Sequence, residues 1–403
     1  MENKVVIVEA CRTAVGKFGG TLKPLSAADL AAEVMKAALE RSGLEAGRIG
    51  EVDFGQCRQS SDFSNIARFA ALRAGIPDTV PGNTVMCACA SGMLATRDGM
   101  NAILTGQTDI ALVGGVESMT NAPYYLSNVR WGLKAGDTAL KDSLTEAQFC
   151  SQPNDLYGRF NMGMTAENIA EKYGITRLEQ DAFALASQEK AAKAIAEGRF
   201  RDEIVPLTVP QGKKKPDLLF DTDEFPRATS MEALAALKPA FKSEGGTVTA
   251  GNSSGRNDGA SAMILMSEET AAQLGLKPLA RIRGISNAGV DPRYMGLGPI
   301  AATERVMKQT GLTLDDMKLI ELNEAFAAQS IACIRGLKLE DRMDIINVNG
   351  GAIALGHPIG SSGSRIMVTL LHEMKKRGLD LGLATLCVAG GMGMAAIIEL
   401  CEV

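Results

Sequence analysis

Apolar runs of strand length alternate with longer alanine-rich segments along this chain. Four of these runs have the length and composition of buried strands, at residues 5–8, 110–113, 384–388 and 394–400. Residues 25–42 are predicted to form a helix, with Ser26 as its N-cap and Gly43 just beyond its end. Strands that alternate with helices in this way predict an α/β protein built from packed layers.

One part of this pattern occurs twice. In each half of the chain, a Gly/Ser-rich helix start is followed by an apolar run that leads into a glycine pair. The pairs are Gly114-Gly115 in the first half and Gly390-Gly391 in the second. This repeat predicts an internal duplication of one α/β unit.

The composition shifts between the two copies. Clusters of Pro, Lys and Asp indicate an inserted loop domain, which also contains two predicted helices, at 165–173 and 177–197. A return to the first half is expected at 247–250. The predicted domains are a first half at 1–120, completed by about 246–275, an inserted domain at 121–245, and a second half at 276–403.

Composition and charge exclude several classes of function. The 403 residues include 42 Lys and Arg against 47 Asp and Glu, a net charge of −5 with no basic block. This balance argues against binding of nucleic acid or of an anionic membrane surface. No apolar run approaches the ~20 residues of a membrane span, and the N-terminus lacks the apolar region of a signal peptide.

Cysteine and histidine usage bear on location and cofactors. The eight cysteines are scattered, unlike a disulfide framework, which favours a reducing compartment and a cytoplasmic location. With only two histidines, a His-rich metal centre is impossible, and we expect no metal.

Cys89 is the first candidate for chemistry. It precedes a helix-like segment at 93–105, where the positive end of the helix dipole favours a thiolate, and its neighbours are small. A buried structural cysteine is the simpler alternative. A redox pair with Cys87 is less expected, because redox dithiols usually have two intervening residues.

Three further residues stand in suggestive positions. His357 lies in a glycine-rich loop and is the residue type best suited to accept a thiol proton, although a structural hydrogen bond would also explain it. His372, by contrast, lies in what is predicted to be an ordinary surface helix. Cys387 ends a strand, where a core cysteine is the alternative. Asn323 opens a helix and could simply be its N-cap.

Together these segments resemble one family, the thiolases (acetyl-CoA C-acyltransferases). The matching blocks occur in the family's order across essentially the whole chain: 89–92 (CASG), 114–119 (GGVESM), 121–124 (NAPY), 162–168 (MGMTAEN), 179–183 (EQDAF), 249–252 (TAGN), 295–299 (MGLGP), 323–327 (NEAFA), 356–358 (GHP) and Cys387.

The resemblance implies the thiolase fold, in which two βαβαβαβ halves stack as five αβαβα layers and an inserted loop domain helps to hold coenzyme A. It also implies a homodimer or homotetramer, and some relatives work with a second protein subunit. Coenzyme A and acyl-CoA are then substrates, and no metal or prosthetic group is needed.

The resemblance also implies a role for each candidate. Cys89 would be the nucleophile that carries the acyl group, activated by His357. Cys387 would move the proton at the acetyl-CoA α-carbon. His357 and a water positioned by Asn323 would bind the enolate oxygen, and backbone N–H groups at Cys89 and Ala389 would bind the acyl-enzyme oxyanion.

For coenzyme A, the match implies Arg227 near the nucleotide, in a segment one residue shorter than expected. Along the pantetheine it implies four residues: Met162, Ser254, Ala325 and Phe326. Asn161 is a further predicted coenzyme A contact. The substrate-pocket candidates are Arg256 and Met295.

This chain departs from the family pattern near the reacting groups. Asn161 replaces a common histidine beside the thioester, Met86-Cys87 replaces an Asn and a basic residue, and Ala389 replaces a common glycine. Arg256 replaces a usually apolar residue. We hypothesise that it pairs with a carboxylate on a substituted or dicarboxylic substrate, with a solvent-facing or structural arginine as the alternative.

The leading prediction is therefore a thiolase that cleaves a 3-oxoacyl-CoA with coenzyme A, or runs the reverse condensation. A decarboxylating ketoacyl synthase is disfavoured, because that class uses its cysteine with two histidines or with His and Asn. Two further functions are compatible with the residues. One is a thiolase acting on a carboxylated or otherwise unusual substrate, with or without a partner subunit, and the second is a catalytically silent thiolase-like scaffold.

Overall fold

The computed structural model describes residues 4–401 as one large mixed sheet system flanked by helices. The strands are β1 Val5–Thr13, β2 Gly16–Lys17, β3 Glu51–Gly55, β4 Gly82–Val85, β5 Ile110–Ser118, β6 Tyr124–Tyr125, β7 Lys141–Asp142, β8 Ile204–Val205, β9 Leu207–Val209, β10 Leu218–Phe220, β11 Asn257–Ser267, β12 Ala280–Gly289, β13 Leu319–Leu322, β14 Leu381–Val388 and β15 Met392–Leu400. The α-helices are α1 Ala27–Ser42, α2 Ile66–Arg73, α3 Ser91–Leu104, α4 Ser143–Phe149, α5 Asn154–Tyr157, α6 Met162–Tyr173, α7 Arg177–Ala196, α8 Met231–Ala235, α9 Glu268–Gln273, α10 Gly298–Thr310, α11 Ala327–Gly336, α12 Ala352–Leu355 and α13 Ile359–Arg377.

The order of strands in the sheet shows the predicted duplication. In the first half β3, β5, β11 and β1 are neighbours in that order, and in the second half β13, β14, β15 and β12 repeat it. Each set begins with a parallel pair and continues with two antiparallel pairs. The halves meet where β1 and β12 pair antiparallel through Ile7 and Ala280. The internal duplication is therefore confirmed.

Helices cover both faces of these sheets. Helices α1 and α2 pack on the outer face of the first half, and α10 packs on the outer face of the second. Helices α3 and α13 pack against each other, and α13 contacts strands of both halves. The order helix, sheet, helix, sheet, helix confirms the five-layer arrangement, with α3 and α13 as the central layer.

Helix α1 begins within two residues of the predicted start and ends at the predicted residue. Ser26 caps its start with a reciprocal pair of hydrogen bonds to Asp29, and Gly43 ends it in the left-handed conformation. The strand predicted at 110–113 is longer than expected, because β5 continues through both glycines to Ser118.

The segment between β5 and β11 contains helices α4–α8 and two small two-stranded sheets, β6–β7 and β9–β10. It also adds β8 beside β1, in the main sheet. Residues 247–250, where the return to the first half was expected, form no strand. The returning strand is β11, which is buried along almost its whole length.

Helix α13 corrects one prediction. It was expected to be an ordinary surface helix around His372, but most of its residues are buried in the central layer. The His372 side chain is half-buried, and its Nε2 lies 2.8 Å from the carbonyl oxygen of Ala10. His372 therefore ties α13 to β1 and lies outside the active-site cavity described below. Within residues 4–401, no helix is both long and apolar enough to cross a membrane.

Gly115 sets how closely β5 approaches the start of α13. A Cβ at this position would lie 2.2 Å from the carbonyl oxygen of Gly360, a backbone atom that cannot rotate away. Gly115→Ala should therefore lower the free energy of unfolding by about 1–3 kcal/mol, as overpacking does. Urea denaturation followed by circular dichroism measures this change.

Gly47→Ala provides the matched control. Its added Cβ would meet only Pro77, at 3.9 Å, so we expect little change in the free energy of unfolding. Equal denaturation midpoints for both variants would contradict the close approach of β5 to α13.

Candidate active site

The turn before α3 presents Cys89. A short 3-10 turn, Ala88–Ala90, joins β4 to α3, and Ala88 has a φ of 45°, in the left-handed region. This conformation costs a residue other than glycine about 1–3 kcal/mol, so the surrounding structure must hold it. The Ser91 hydroxyl does so, since it accepts from Cys87 N–H at 2.9 Å and donates to the Ala88 carbonyl at 2.7 Å.

A cavity of about 240 Å³ opens beside Cys89. His357 and Ala389 also line it, although they lie far apart in the sequence. Six of the residues predicted to contact substrate or coenzyme A join them: Met162, Ser254, Arg256, Met295, Ala325 and Phe326.

His357 lies between α12 and α13 and is only 6% exposed. The Ser362 hydroxyl donates to the Pro358 carbonyl at 2.9 Å and lies 2.6 Å from His357 Nδ1. Because that hydroxyl has a single proton, it accepts the bond from Nδ1–H. The other ring nitrogen, Nε2, has no hydrogen-bond partner among the described residues, so its lone pair is free to accept a proton.

Burial controls the charge of this pair. It lowers the pKa of His357 to about 3, with a further contribution from the positive charge of Arg365. Burial also raises the pKa of Cys89 to about 11, although the Ala389 N–H and the Arg58 charge act in the opposite direction. These two shifts favour a thiol and a neutral imidazole in the free site at neutral pH.

Two backbone N–H groups act on the Cys89 sulfur. Those of Ala389 and of Cys89 itself lower the pKa of the thiol. Ala389 opens the turn between β14 and β15, in which Gly390 and Gly391 have φ values of 90° and 83°. Glycine suits this turn because side chains disfavour such angles.

Cys387 is fully buried at the end of β14, beside the cavity but outside its lining residues. It packs in an apolar cluster with Met295, Ala325 and Phe326. Burial raises the pKa of its thiol well above the usual range, and the neighbouring Cys89 adds to this effect. Cys387 is therefore a buried thiol close to Cys89, with its pKa raised.

Asn323 directly follows β13 and is 1% exposed. Neither its side-chain oxygen nor its nitrogen has a hydrogen-bond partner among residues 4–401, which is costly for a buried amide. Such an amide suits a bound water or substrate. The alternative of a helix N-cap is wrong, because α11 begins at Ala327 and its N-cap is Phe326.

Asn347 fixes the backbone around Asn323. Its side chain accepts from Leu322 N–H and donates to the Leu322 carbonyl and to Glu324, each at 2.8 Å. The Asn323 N–H also donates to the Thr385 carbonyl at 3.0 Å. These bonds fix the backbone at Leu322 and Asn323, from which the unpartnered side-chain amide of Asn323 projects.

Sequence reasoning missed two residues at this site. Glu117 is buried and accepts backbone N–H groups of Cys57, Arg58 and Gly360 at 3.0–3.1 Å, so it ties the loop after β3 to the start of α13. A lone carboxylate inside an apolar strand could have suggested it. Arg58 lines the cavity, and nothing in its sequence neighbourhood indicates that position.

Two predicted coenzyme A contacts lie outside the cavity lining. Arg227 is exposed, and its guanidinium donates to the Ala250 carbonyl at 2.9 Å. Asn161 caps α6 through the Met164 N–H at 3.0 Å, so it has a structural role of its own. Within the described part of the chain, no cluster of three or more His, Cys, Asp or Glu side chains could hold a metal ion.

Comparison with known proteins identifies the family. Residues 5–269 match the thiolase N-terminal domain, and residues 276–400 match the thiolase C-terminal domain. The chain is 52% identical to an acetyl-CoA acetyltransferase of Syntrophomonas wolfei, over 99% of this chain and 100% of that protein.

Solved structures of similar fold belong to the same family. An acetyl-CoA acetyltransferase of Bacillus anthracis superposes with a TM-score of 0.95 at 46% identity, covering 99% of both chains. A human mitochondrial 3-ketoacyl-CoA thiolase in complex with CoA gives a TM-score of 0.93 at 41% identity, covering 99% of this chain and 98% of that one. These relatives give no support to a silent scaffold. The chain belongs to the thiolase family of acyltransferases.

Proposed function

We propose that this enzyme cleaves a 3-oxoacyl-CoA with coenzyme A, or condenses two acyl-CoA molecules by the reverse route. The cleavage yields acetyl-CoA and an acyl-CoA shortened by two carbons. The main support is that Cys89, Ala389 and His357 line one cavity, and that His357 Nε2 has no hydrogen-bond partner among the described residues.

The first half-reaction begins with proton transfer. His357 Nε2 accepts the Cys89 proton as the sulfur attacks the C3 carbonyl of the substrate, which suits a thiol and a neutral imidazole. The C2–C3 bond then breaks, leaving an acyl group on Cys89 and the enolate of acetyl-CoA. Cys387 donates its thiol proton to C2, and acetyl-CoA leaves.

The second half-reaction returns the enzyme to its starting state. The Cys387 thiolate takes the proton of the incoming coenzyme A thiol, and the coenzyme A sulfur attacks the acyl-enzyme. As the thioester bond to Cys89 breaks, the protonated His357 returns its proton to that sulfur. The acyl-CoA product leaves with both cysteines again protonated.

Two sites would stabilise the oxyanions of these steps. The backbone N–H groups of Cys89 and Ala389 lower the pKa of the Cys89 thiol, which supports their proposed place beside the acyl-enzyme oxyanion. The unsatisfied amide of Asn323, through a water, and His357 Nε2 would hold the enolate oxygen.

Coenzyme A would enter through the same cavity. Met162, Ser254, Ala325 and Phe326 form a largely apolar wall that suits the pantetheine arm, and Arg227 would lie near the nucleotide. The inserted segment supplies Met162. A related human thiolase has been solved with CoA, which supports a coenzyme A site in this fold.

We also propose a homodimer or homotetramer that acts in acyl-CoA metabolism, including that of fatty acids, in the cytoplasm. All eight cysteines are free, and a nucleophilic thiol must stay reduced to act, which suits a reducing compartment. The chemistry uses only thiols, an imidazole and amides, so we propose that it needs no metal or prosthetic group.

Cleavage of acetoacetyl-CoA tests the proposed function. Substrate loss should depend on coenzyme A and should yield acetyl-CoA as the only product. Without coenzyme A, mass spectrometry of the intact protein should detect an acetyl group on Cys89. Repeated turnover without coenzyme A, or a folded enzyme with no cleavage, would contradict the proposal.

A further inference from the structure

Two arginines line the active-site cavity. Among residues 4–401, Arg58 and Arg256 are its only charged lining residues at neutral pH, where the pKa of His357 keeps that ring neutral. No carboxylate of the described chain belongs to the lining. Two guanidinium groups beside a largely apolar cavity favour an anionic ligand there.

Arg58 lies close to the nucleophile. Its positive charge lowers the pKa of Cys89 against the effect of burial. Its Nε is buried and has no hydrogen-bond partner within residues 4–401. Glu117 accepts the backbone N–H of Arg58 at 3.0 Å, which holds the loop that carries this side chain.

Arg256 also lines the cavity, and 41% of its side chain is exposed. Its nearest acid, Asp142, is 3.9 Å away, too far for a hydrogen bond. Asp142 instead accepts the Leu144 N–H at 3.0 Å as the cap of α4, and Leu144 lines the cavity. Arg256 therefore keeps N–H groups free on the side of the cavity formed by α4.

The phosphates of coenzyme A do not account for Arg58. When a thioester lies at Cys89, the long pantetheine arm separates it from those phosphates. An anion that reaches Arg58 must therefore belong to the acyl group. Charge-assisted hydrogen bonds from arginine to carboxylate are strong and often bidentate. An acyl chain that carries a carboxylate therefore fits the part of the cavity beside Arg58.

We propose that Arg58 and Arg256 select 3-oxoacyl-CoA substrates whose acyl chain carries a carboxylate. This inference rests on the proposed thiolysis and names its substrate class. It is argued from the charge and the lining residues of the cavity. The two arginines are specificity residues that act on substrate affinity.

Two substrates of equal chain length test this preference: 3-oxohexanoyl-CoA, with a neutral chain end, and 3-oxoadipyl-CoA, with a carboxylate there. We expect the wild-type enzyme to cleave the carboxylated substrate with a kcat/KM at least ~10-fold higher. Arg58→Gln and Arg256→Gln should each lower kcat/KM for that substrate by ~10–100-fold, mainly through KM. For the neutral substrate, the loss in kcat/KM should be at least ~5-fold smaller, and part of the Arg58→Gln loss is expected because the Arg58 charge lowers the pKa of Cys89.

Matched variants separate the possible causes. Arg48→Gln removes an exposed arginine outside the cavity and should leave the substrate preference unchanged. Arg256→Lys should restore part of the preference, since it keeps the charge but loses the planar fork. Thermal melting of each variant checks that it is folded.

Three outcomes would overturn the inference. One is a wild-type enzyme that cleaves acetoacetyl-CoA but shows no preference for the carboxylated chain, which leaves the thiolase proposal intact. Another is an equal loss on both substrates, or a parallel rise in the Kd of free coenzyme A, which would assign the arginines to coenzyme A or to the nucleophile. The third, no cleavage even of acetoacetyl-CoA, overturns the proposed function as well.

Discussion

Cys89→Ser should reduce the rate of acetoacetyl-CoA cleavage by at least ~10³-fold. The reacting species is a thiolate, and His357 is a neutral base too weak to ionise a hydroxyl to a comparable extent. The serine would keep the turn and the N–H donors in place, so the loss reports the nucleophile itself. Steady-state kinetics and the mass of the intact protein after incubation with substrate measure this loss and the missing acyl group.

Cys87→Ser is the matched control. Cys87 lies two residues away in the same strand-to-helix connection, but it does not line the cavity. Its variant should retain most of the activity and still form the acyl-enzyme. The redox-pair alternative predicts that both variants fail equally, and that result would contradict a single nucleophile.

His357→Ala should lower kcat by ~10²–10⁴-fold, the usual contribution of a general base. Because the pKa of His357 is lowered to about 3, wild-type kcat/KM should not fall near pH 6.5 as it would for an ordinary histidine. His372→Gln serves as the control, because His372 lies outside the cavity and the amide can still bond the Ala10 carbonyl. An acid limb near pH 6.5 that disappears in His357→Ala would contradict the buried, neutral base.

The same shift makes stability depend on pH. Unfolding exposes His357, whose pKa then rises from about 3 towards 6.5, so the unfolded chain binds the proton first as pH falls. The contribution of His357 to the free energy of unfolding is therefore complete above pH 6.5 and is lost as pH falls towards 3. Urea denaturation at several pH values should show a steeper acid loss for the wild type than for His357→Ala.

The sequence allowed prediction of features that depend on local chemistry. The caps of α1 follow from Ser26 and Gly43, which directly flank the helix. The duplicated glycine pairs predicted two similar halves, and the order of short blocks predicted the family. Cys89 and His357 stood out because each lies in a short segment with little other explanation for its composition.

Features that depend on tertiary contacts could not be predicted in this way. Strand β11 begins with polar residues that look like a loop, yet they are buried and bonded: Asn257 accepts the His357 N–H at 3.0 Å. Arg58 enters the cavity only because Glu117, from another strand, holds its loop. The charge state of Cys89 depends on burial by distant residues, which a helix position alone does not reveal.

The central layer makes the two halves depend on each other for activity. Cys89 lies just before α3 and His357 just before α13, so each half supplies one of the two proposed reacting groups from its equivalent helix. Neither half alone contains both groups. The spacing between the sulfur and the imidazole therefore depends on how α3 packs against α13, and a change deep in that interface would reach the chemistry without replacing either residue.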